Sequence, residues 1–436
     1  MPNLFPTPGE TITGLQPDLK SGTTTPYTVT VNALDRIMRD EMEVQALVRM
    51  FEPEALALSS EQTVALQKRE NLGPLAGIPI GVKDIIDIEG AITGCGFKPF
   101  EDPESPRVAT STAPLVQRLL DAGAVLLAKT TTTQFACFDP TETRNPWNLY
   151  RTPGGSSSGS AAAVASGMCL AAIGTQTGGS VTRPAAYCGV VGFKPGYDTL
   201  PMEGIFPVSK RLDQPGFFTR SIEDARLLWE LTRSTSATPT TTRETLRIGH
   251  LNFYFHDYAA RRMREMMESV IGKLTGVGHE VIPTGREIDF DAIIFHHRNI
   301  MNFEAGEVHR ERFLQYTQHY QPGITSLIQA GLQLPITEYQ QSCSVQDHYC
   351  KNADDYFRDF DLLICPATLD EAPPLASTGD PRFNAPWSFL GLPTVTIPVQ
   401  LSDAGLPLGL QIIGPKGSED QLLEYVTQIS ISQRKS

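Results

Sequence analysis

Apolar positions recur along this chain in two rhythms, one helical and one of short unbroken runs. Between Thr28 and Phe51, the residues Leu34, Ile37, Met38, Val44, Leu47 and Val48 return at roughly helical spacing and predict an amphipathic helix. A second helix is signalled by Thr112 as cap, Pro114 in the first turn, an apolar face of Leu115, Leu119 and Leu120, and a stop at Gly123. The run Ala124-Val-Leu-Leu-Ala128 follows at once and reads as a buried strand. That order of helix then strand predicts an α/β fold with a covered sheet. Farther on, Met263, Met266, Met267, Val270, Ile271 and Leu274 fall at i, i+3, i+4, i+7, i+8 and i+11. A methionine stripe at that spacing predicts a helix face in the core rather than a cofactor contact. Asp361–Cys365, Thr394–Ile397 and Leu408–Ile413 read as strands, the last two opposed across the Gly405-Leu-Pro407 turn. Ser418-Glu-Asp-Gln421 predicts a capping box for a last helix, and the Pro-, Thr- and Gly-rich residues 1–26 predict an irregular arm.

Composition narrows the function classes. With 36 Lys+Arg against 49 Asp+Glu, the 436-residue chain carries a formal charge of −13, too acidic for a broad basic face that would grip nucleic acid. The apolar fraction of 40% is ample for a core, and a soft prior of about 150 residues per domain allows two or three domains or one long α/β enzyme. The opening residues MPNLFPTPGE lack the basic-then-apolar pattern of a secretory signal, and the apolar runs fall far short of a membrane span. Seven cysteines with no Cys-x-x-Cys pair disfavour a disulfide framework or a zinc knuckle, so a reducing, cytoplasmic setting is expected. All eight histidines fall between 230 and 360 without paired ligand spacing; His296-His297 and His348 read as core or surface residues rather than a metal site.

The unusual stretch is Thr152-Pro-Gly-Gly-Ser-Ser-Ser-Gly-Ser-Ala-Ala-Ala-Val-Ala-Ser-Gly167, a tight loop feeding a closely packed helix that Gly167 stops. A second loop, Gly174-Thr-Gln-Thr-Gly-Gly-Ser180, places glycines ahead of a serine, so that backbone N–H groups converge beside its hydroxyl. That is the requirement of an oxyanion site. A serine nucleophile needs a base, and no histidine lies near these loops in sequence. Lys83, at the end of the apolar run Leu75-Ala-Gly-Ile-Pro-Ile-Gly-Val-Lys83, offers an alternative. Desolvation there would lower its pKa and leave an amine able to accept a proton, although a salt-bridged structural lysine fits the same composition. Gly155-Ser-Ser-Ser-Gly159 also matches G-x-S-x-G, which would make Ser157 the nucleophile of a Ser-His-Asp hydrolase, but the preceding segment with Pro146 and Pro153 does not read as a strand.

Taken together, Gly81-Val-Lys-Asp84, the Gly154-Gly-Ser-Ser-Ser-Gly-Ser block, Thr177-Gly-Gly-Ser180, Arg183-Pro-Ala and Cys188-Gly-Val-Val-Gly-Phe-Lys-Pro195 resemble the amidase signature family. The similarity is dense from about 72 to 220 and resumes near Cys365-Pro-Ala-Thr368 and Phe383–Pro393. In motif the chain resembles the branch that holds malonamidase-type enzymes and amidotransferase A subunits. The resemblance implies a central mixed β-sheet sandwiched between layers of α-helices, in one amidase domain spanning 1–436. Within it, 1–60 would be an arm and helix, 62–225 the signature core, 226–360 a variable, mobile helical region over the substrate, and 361–436 strands and a helix completing the core.

Position by position, the resemblance implies that Ser180 is the nucleophile, Lys83 the base, and Ser156, joined by a cis peptide to Gly155, the relay between them. The backbone N–H groups of Thr177, Gly178, Gly179 and Ser180 would form the oxyanion hole, with Ser157 and Thr175 as supporting donors. Two positions depart from the common pattern: Gln176 stands where many members have Asp, and Thr182 where many have Arg, with Arg183 one residue farther on. In the malonamidase-type branch this arginine contacts a substrate carboxylate; bracing of the loop is the competing role. The expected activity is hydrolysis of the C–N bond in a small amide, carbamate or urea-like substrate, without metal or organic cofactor, nucleic acid or membrane, with pairing as a homodimer allowed. The alternatives are the amidase subunit of a glutamine-dependent amidotransferase and a catalytically dead binding module; intact Lys83, Ser156 and Ser180 argue against the latter.

Overall fold

The computed structural model describes residues 10–435 apart from 235, 237–239 and 242. The described residues contain β1 (Leu47–Met50), β2 (Pro79–Lys83), β3 (Val125–Thr130), β4 (Ala171–Gln176), β5 (Val191–Lys194), β6 (Gln214–Thr219), β7 (Arg247–Leu251), β8 (Glu280–Thr284), β9 (Leu362–Pro366), β10 (Thr394–Leu401) and β11 (Pro407–Ile413). These strands form one sheet in the order β1-β3-β2-β4-β6-β5-β10-β11-β9-β7-β8. The pairs β2–β3, β2–β4, β7–β8 and β7–β9 are parallel and the others antiparallel, so the sheet is mixed. Every residue of β2, β4, β6, β9 and β11 is buried, which requires helices over both faces. The α/β fold expected from the sequence is the one the chain adopts.

Several boundaries differ from the sequence reading. The first long helix is Pro26–Val44 and stops at Gln45, whose φ of 54° turns the chain. Leu47 and Val48 therefore belong to β1, an edge strand on β3, because four apolar-leaning residues satisfy a strand as well as a helix. The expected irregular arm holds a helix, Ile12–Ser21, capped by the Thr11 hydroxyl and closed by Gly22 in left-handed conformation; residues 1–9 of that arm lie outside the described residues. Thr112 is not a cap. Ala113 holds that position, and the Thr112 hydroxyl accepts from Glu89 N–H instead. The capping box at 418–421 is also displaced: Gln421 reaches across to the backbone of Thr241, and the Ser418 hydroxyl donates to Pro415 O. The methionine stripe, by contrast, lies on helix Arg261–Gly276 with Met263, Met266, Met267, Val270 and Leu274 buried.

Between β8 and β9 the chain inserts the long helix Phe290–Tyr316 and the helices Pro322–Gln333 and Ile336–Asn352. The first two cross at glycine. A methyl group on Gly331 would lie 1.8 Å from Asn302 O, and one on Gly306 3.0 Å from the Gly331 backbone. Only hydrogen at these positions lets the two backbones approach so closely.

Candidate active site

β2 and β4 run side by side and in parallel, with Val82 opposite Ile173, so Lys83 and Thr175 leave the same end of the sheet. Lys83 is fully buried, and its amine lies 2.8 Å from Ser156 Oγ and 2.9 Å from Thr175 Oγ1. Desolvation lowers its pKa from the usual lysine range to about 7, against the opposing pull of the Asp213 carboxylate. A second buried lysine shows why the value alone identifies nothing. Lys194 is also lowered to about 7 by burial, yet its amine donates to Pro195 O, Leu392 O and Gln214 Oε1, which can only accept. The Lys83 partners are hydroxyls, which donate as readily as they accept, so this site can hold a neutral amine with its lone pair engaged.

Ser156 follows Gly155 through a cis peptide bond, and the small-residue run forms helix Ser158–Ser166, closed by Gly167. Ser157 begins that helix with its side chain turned inward: its hydroxyl lies 3.3 Å from both Thr175 O and Thr175 N and is sealed from solvent. Ser157 is therefore an internal brace, and the G-x-S-x-G reading has no exposed nucleophile. The second loop is shorter than the glycine pattern suggests, because Gly174–Gln176 continue β4 and the chain leaves the sheet at Thr177.

Residues 177–180 are held from several sides. Gln176 Oε1 accepts from the N–H groups of Val181 and Thr182, its Nε2 donates to Ser388 Oγ, and Ser388 Oγ donates to Gly178 O. Gln176 thus replaces a carboxylate with a group that caps the following helix and anchors the loop. The Thr177 hydroxyl donates to Asp213 Oδ1 at 2.5 Å, and Asp213 Oδ2 accepts from Val208 N and Ser209 N. Burial pushes the Asp213 carboxyl up to about 6 although these hydrogen bonds oppose it. His297 of helix Phe290–Tyr316 donates from Nε2 to Thr177 O at 2.9 Å. Among the described residues none accepts a hydrogen bond from Gly178, Gly179 or Ser180 N–H, and Ser180 Oγ makes none.

Ser156 and residues 177–180 floor a cavity of about 460 Å³; Lys83 sits one layer behind it. Arg183 joins the wall. Its Nη2 donates to Gly155 O at 2.8 Å, while Nε and Nη1 are buried without a partner, and burial presses the guanidinium pKa below its usual range. The opposite wall is Ile294, His297, Met301 and Leu327 from the inserted helices. Tyr254, Tyr258, Asp380 and Arg382 complete it, with Arg382 paired to Asp380 and stacked on Tyr258. The sequence reading puts a helical region over the substrate in 226–360, and Ile294, His297, Met301 and Leu327 come from it, whereas Cys137 and Phe138 lie outside it. It gives no sign of Asp213, of His297 as a site residue, or of the 380–385 segment. Asp213 carries no motif, and His297 shares the spacing of core histidines; it is buried, but its ring faces the cavity.

A family model described as Amidase matches residues 28–423. The chain belongs to the amidase signature family. It is 32% identical to the A subunit of glutamyl-tRNA(Gln) amidotransferase from Prochlorococcus marinus (strain MIT 9211), over 89% of this chain and 90% of the relative. Among solved structures, a crystal structure of an amidase superposes with a TM-score of 0.87 at 29% identity, covering 95% of this chain and 98% of the other. The native peptide amidase of Stenotrophomonas maltophilia gives 0.83 at 26%, with 97% of each chain covered. The chain is an amide-cleaving hydrolase of this family. Among the described residues, no helix is long and apolar enough to cross a membrane.

Proposed function

We propose that the chain cleaves the C–N bond of a small amide through a Ser180 acyl-enzyme, with Lys83 as base and Ser156 as relay. The observation that carries the reading is the layering: the Lys83 amine lies behind the cavity floor and reaches it through the Ser156 hydroxyl. Neutral Lys83 takes the proton of Ser156 as Ser156 takes that of Ser180, and the Ser180 oxygen attacks the carbonyl. The carbonyl π-electrons move to oxygen, where the N–H groups of residues 177–180 face the developing charge. Lys83, now charged, returns its proton through Ser156 to the leaving nitrogen, and the C–N bond breaks. Water releases the acyl group by the same relay in reverse. Thr175 and Ser157 hold the amine and the strand behind it. Carbamates and urea-like compounds are accommodated by the same steps.

Arg183 lines the cavity, and its guanidinium charge favours an acyl part carrying a carboxylate or another strong acceptor. The fold, with strands from 47 to 413 in one sheet, supports a single domain over 1–436. A second reading, an amidase subunit that works within a glutamine-dependent amidotransferase, is favoured by the likeness to an amidotransferase A subunit. The purified chain discriminates the two. In a screen of primary amides, anilides, carbamates and dicarboxylic half-amides, turnover by the chain alone is the expected result. Ser180→Ala should lose it, and retention of most activity would remove Ser180 from the nucleophile's role.

A further inference from the structure

His297 is 4% exposed, yet its two ring nitrogens have different fates. Nε2 meets Thr177 O, and a carbonyl only accepts, so Nε2 carries the hydrogen. Burial lowers the pKa of the ring to about 4, so the imidazole is neutral and Nδ1 is its bare lone pair. Nδ1 makes no hydrogen bond among the described residues, and it is not among the buried atoms sealed without a partner. The ring lines the cavity beside the 177–180 loop: a methyl group built on Gly178 would lie 3.6 Å from His297 Cε1. The free N–H groups of 178–180 are donors only; the hydroxyls that line the cavity, Ser156 and Ser180 of the relay and Tyr254 and Tyr258 on the wall, donate or accept. Asp380 is taken by Arg382, and Asp291 sits exposed on the first turn of its helix.

We propose that His297 determines specificity for the scissile amide: Nδ1 accepts a hydrogen bond from an N–H of the substrate group being cleaved. An amide offers both a carbonyl, which the loop donors receive, and an N–H, which needs an acceptor. A neutral imidazole serves an uncharged N–H, as in a primary amide, a ureido group or a carbamate nitrogen; it offers nothing to an ester or a fully substituted nitrogen. The inference rests on the amide-hydrolysis reading above and narrows its substrate to compounds with a free N–H at the cleaved bond.

The test compares a primary amide with the methyl ester of the same acid, using the full chain. His297→Gln keeps a donor near Thr177 O and removes the Nδ1 acceptor; His297→Asn keeps an acceptor near the Nδ1 position and loses the reach to Thr177. For His297→Gln the ratio of kcat/KM for amide over ester should fall on the order of tenfold or more. For His297→Asn the ratio should stay within about twofold of the wild type even as both rates drop. Each ratio is taken on one preparation, so loss of folded enzyme cancels. An unchanged ratio in His297→Gln overturns the inference while leaving the amidase reading intact; a wild-type chain that turns over neither compound overturns both. Should the glutamine variant fail to fold, the wild type is tested on N-methyl and N,N-dimethyl amides. A sharp loss on removing the last N–H is expected, and equal rates refute the role.

Discussion

Replacing Lys83 by methionine separates the cost of the buried amine from its use. The fall in its pKa from 10.5 to about 7 is worth about 5 kcal/mol at roughly 1.4 kcal/mol per tenfold. Below pH 7 the amine is charged in both folded and unfolded chains, and the whole penalty for burying the charge is present. Above pH 10.5 it is neutral in both, and the penalty is gone. Stability of the wild type therefore gains about 4 kcal/mol from this group alone between pH 6 and pH 10. Lys83→Met has no such term. It does strand the hydroxyls of Ser156 and Thr175, at about 1–3 kcal/mol each. At pH 6 the two effects nearly cancel, leaving the variant as stable as the wild type or slightly more so. At pH 10 it should be the weaker protein by a few kcal/mol. Urea unfolding of both proteins at the two pH values measures the gap, and other titrating groups drop out of the comparison. Turnover of the variant should be undetectable throughout, and wild-type kcat/KM should climb with unit slope up to about pH 7 as Lys83 loses its proton. A stability gap that ignores pH, or a variant that still turns over, refutes the account of a desolvated base.

Further expectations concern the loop and its neighbours. Asp213→Asn removes an anion that favours the charged form of Lys83, so the acid limb of kcat/KM should move to lower pH; a limb that moves upward contradicts this. Gly179→Ala would put a methyl 2.6 Å from Asn384 Oδ1 and 3.0 Å from Arg183 Nη1. Turnover should drop on the order of 10²-fold for about 1–3 kcal/mol of lost stability, and near-wild-type kcat would count against the loop as an oxyanion site. Arg183→Leu should slow half-amides far more than neutral amides; equal slowing would assign Arg183 to holding Gly155 O alone.

Much of the site is readable in the sequence because its chemistry is local there. The Gly/Ser block and Thr177-Gly-Gly-Ser180 are turns that demand small residues, and Lys83 is conspicuous as a charge ending an apolar strand. What escapes comes from side chains whose meaning depends on a distant partner. Asp213 is one carboxylate among many until Thr177, 36 residues earlier, points a hydroxyl at it. His297 belongs to a helix with buried residues on several sides, where spacing cannot say which ring borders a void. At the level of elements, a short apolar run such as Leu47–Met50 satisfies either period, and only its pairing with β3 decides it. Thr112 and Gln421 show the same thing for caps: a polar side chain with a better partner elsewhere abandons the local one.

The two helices that wall the cavity, Phe290–Tyr316 and Pro322–Gln333, arrive with a third in a single insertion between two strands near one edge of the sheet, whereas Lys83 and the two serines come from the neighbourhood of β2 and β4. The helical part of the cavity wall and the groups that break the bond are thus encoded in separate stretches of gene. Recombination that swaps the 290–352 stretch would redraw which molecules enter while leaving the machinery that cuts them in place. The imidazole hydrogen bond to Thr177 O crosses that divide, so an incoming roof must supply a donor at the same carbonyl or leave the nucleophile's loop with one fewer tether.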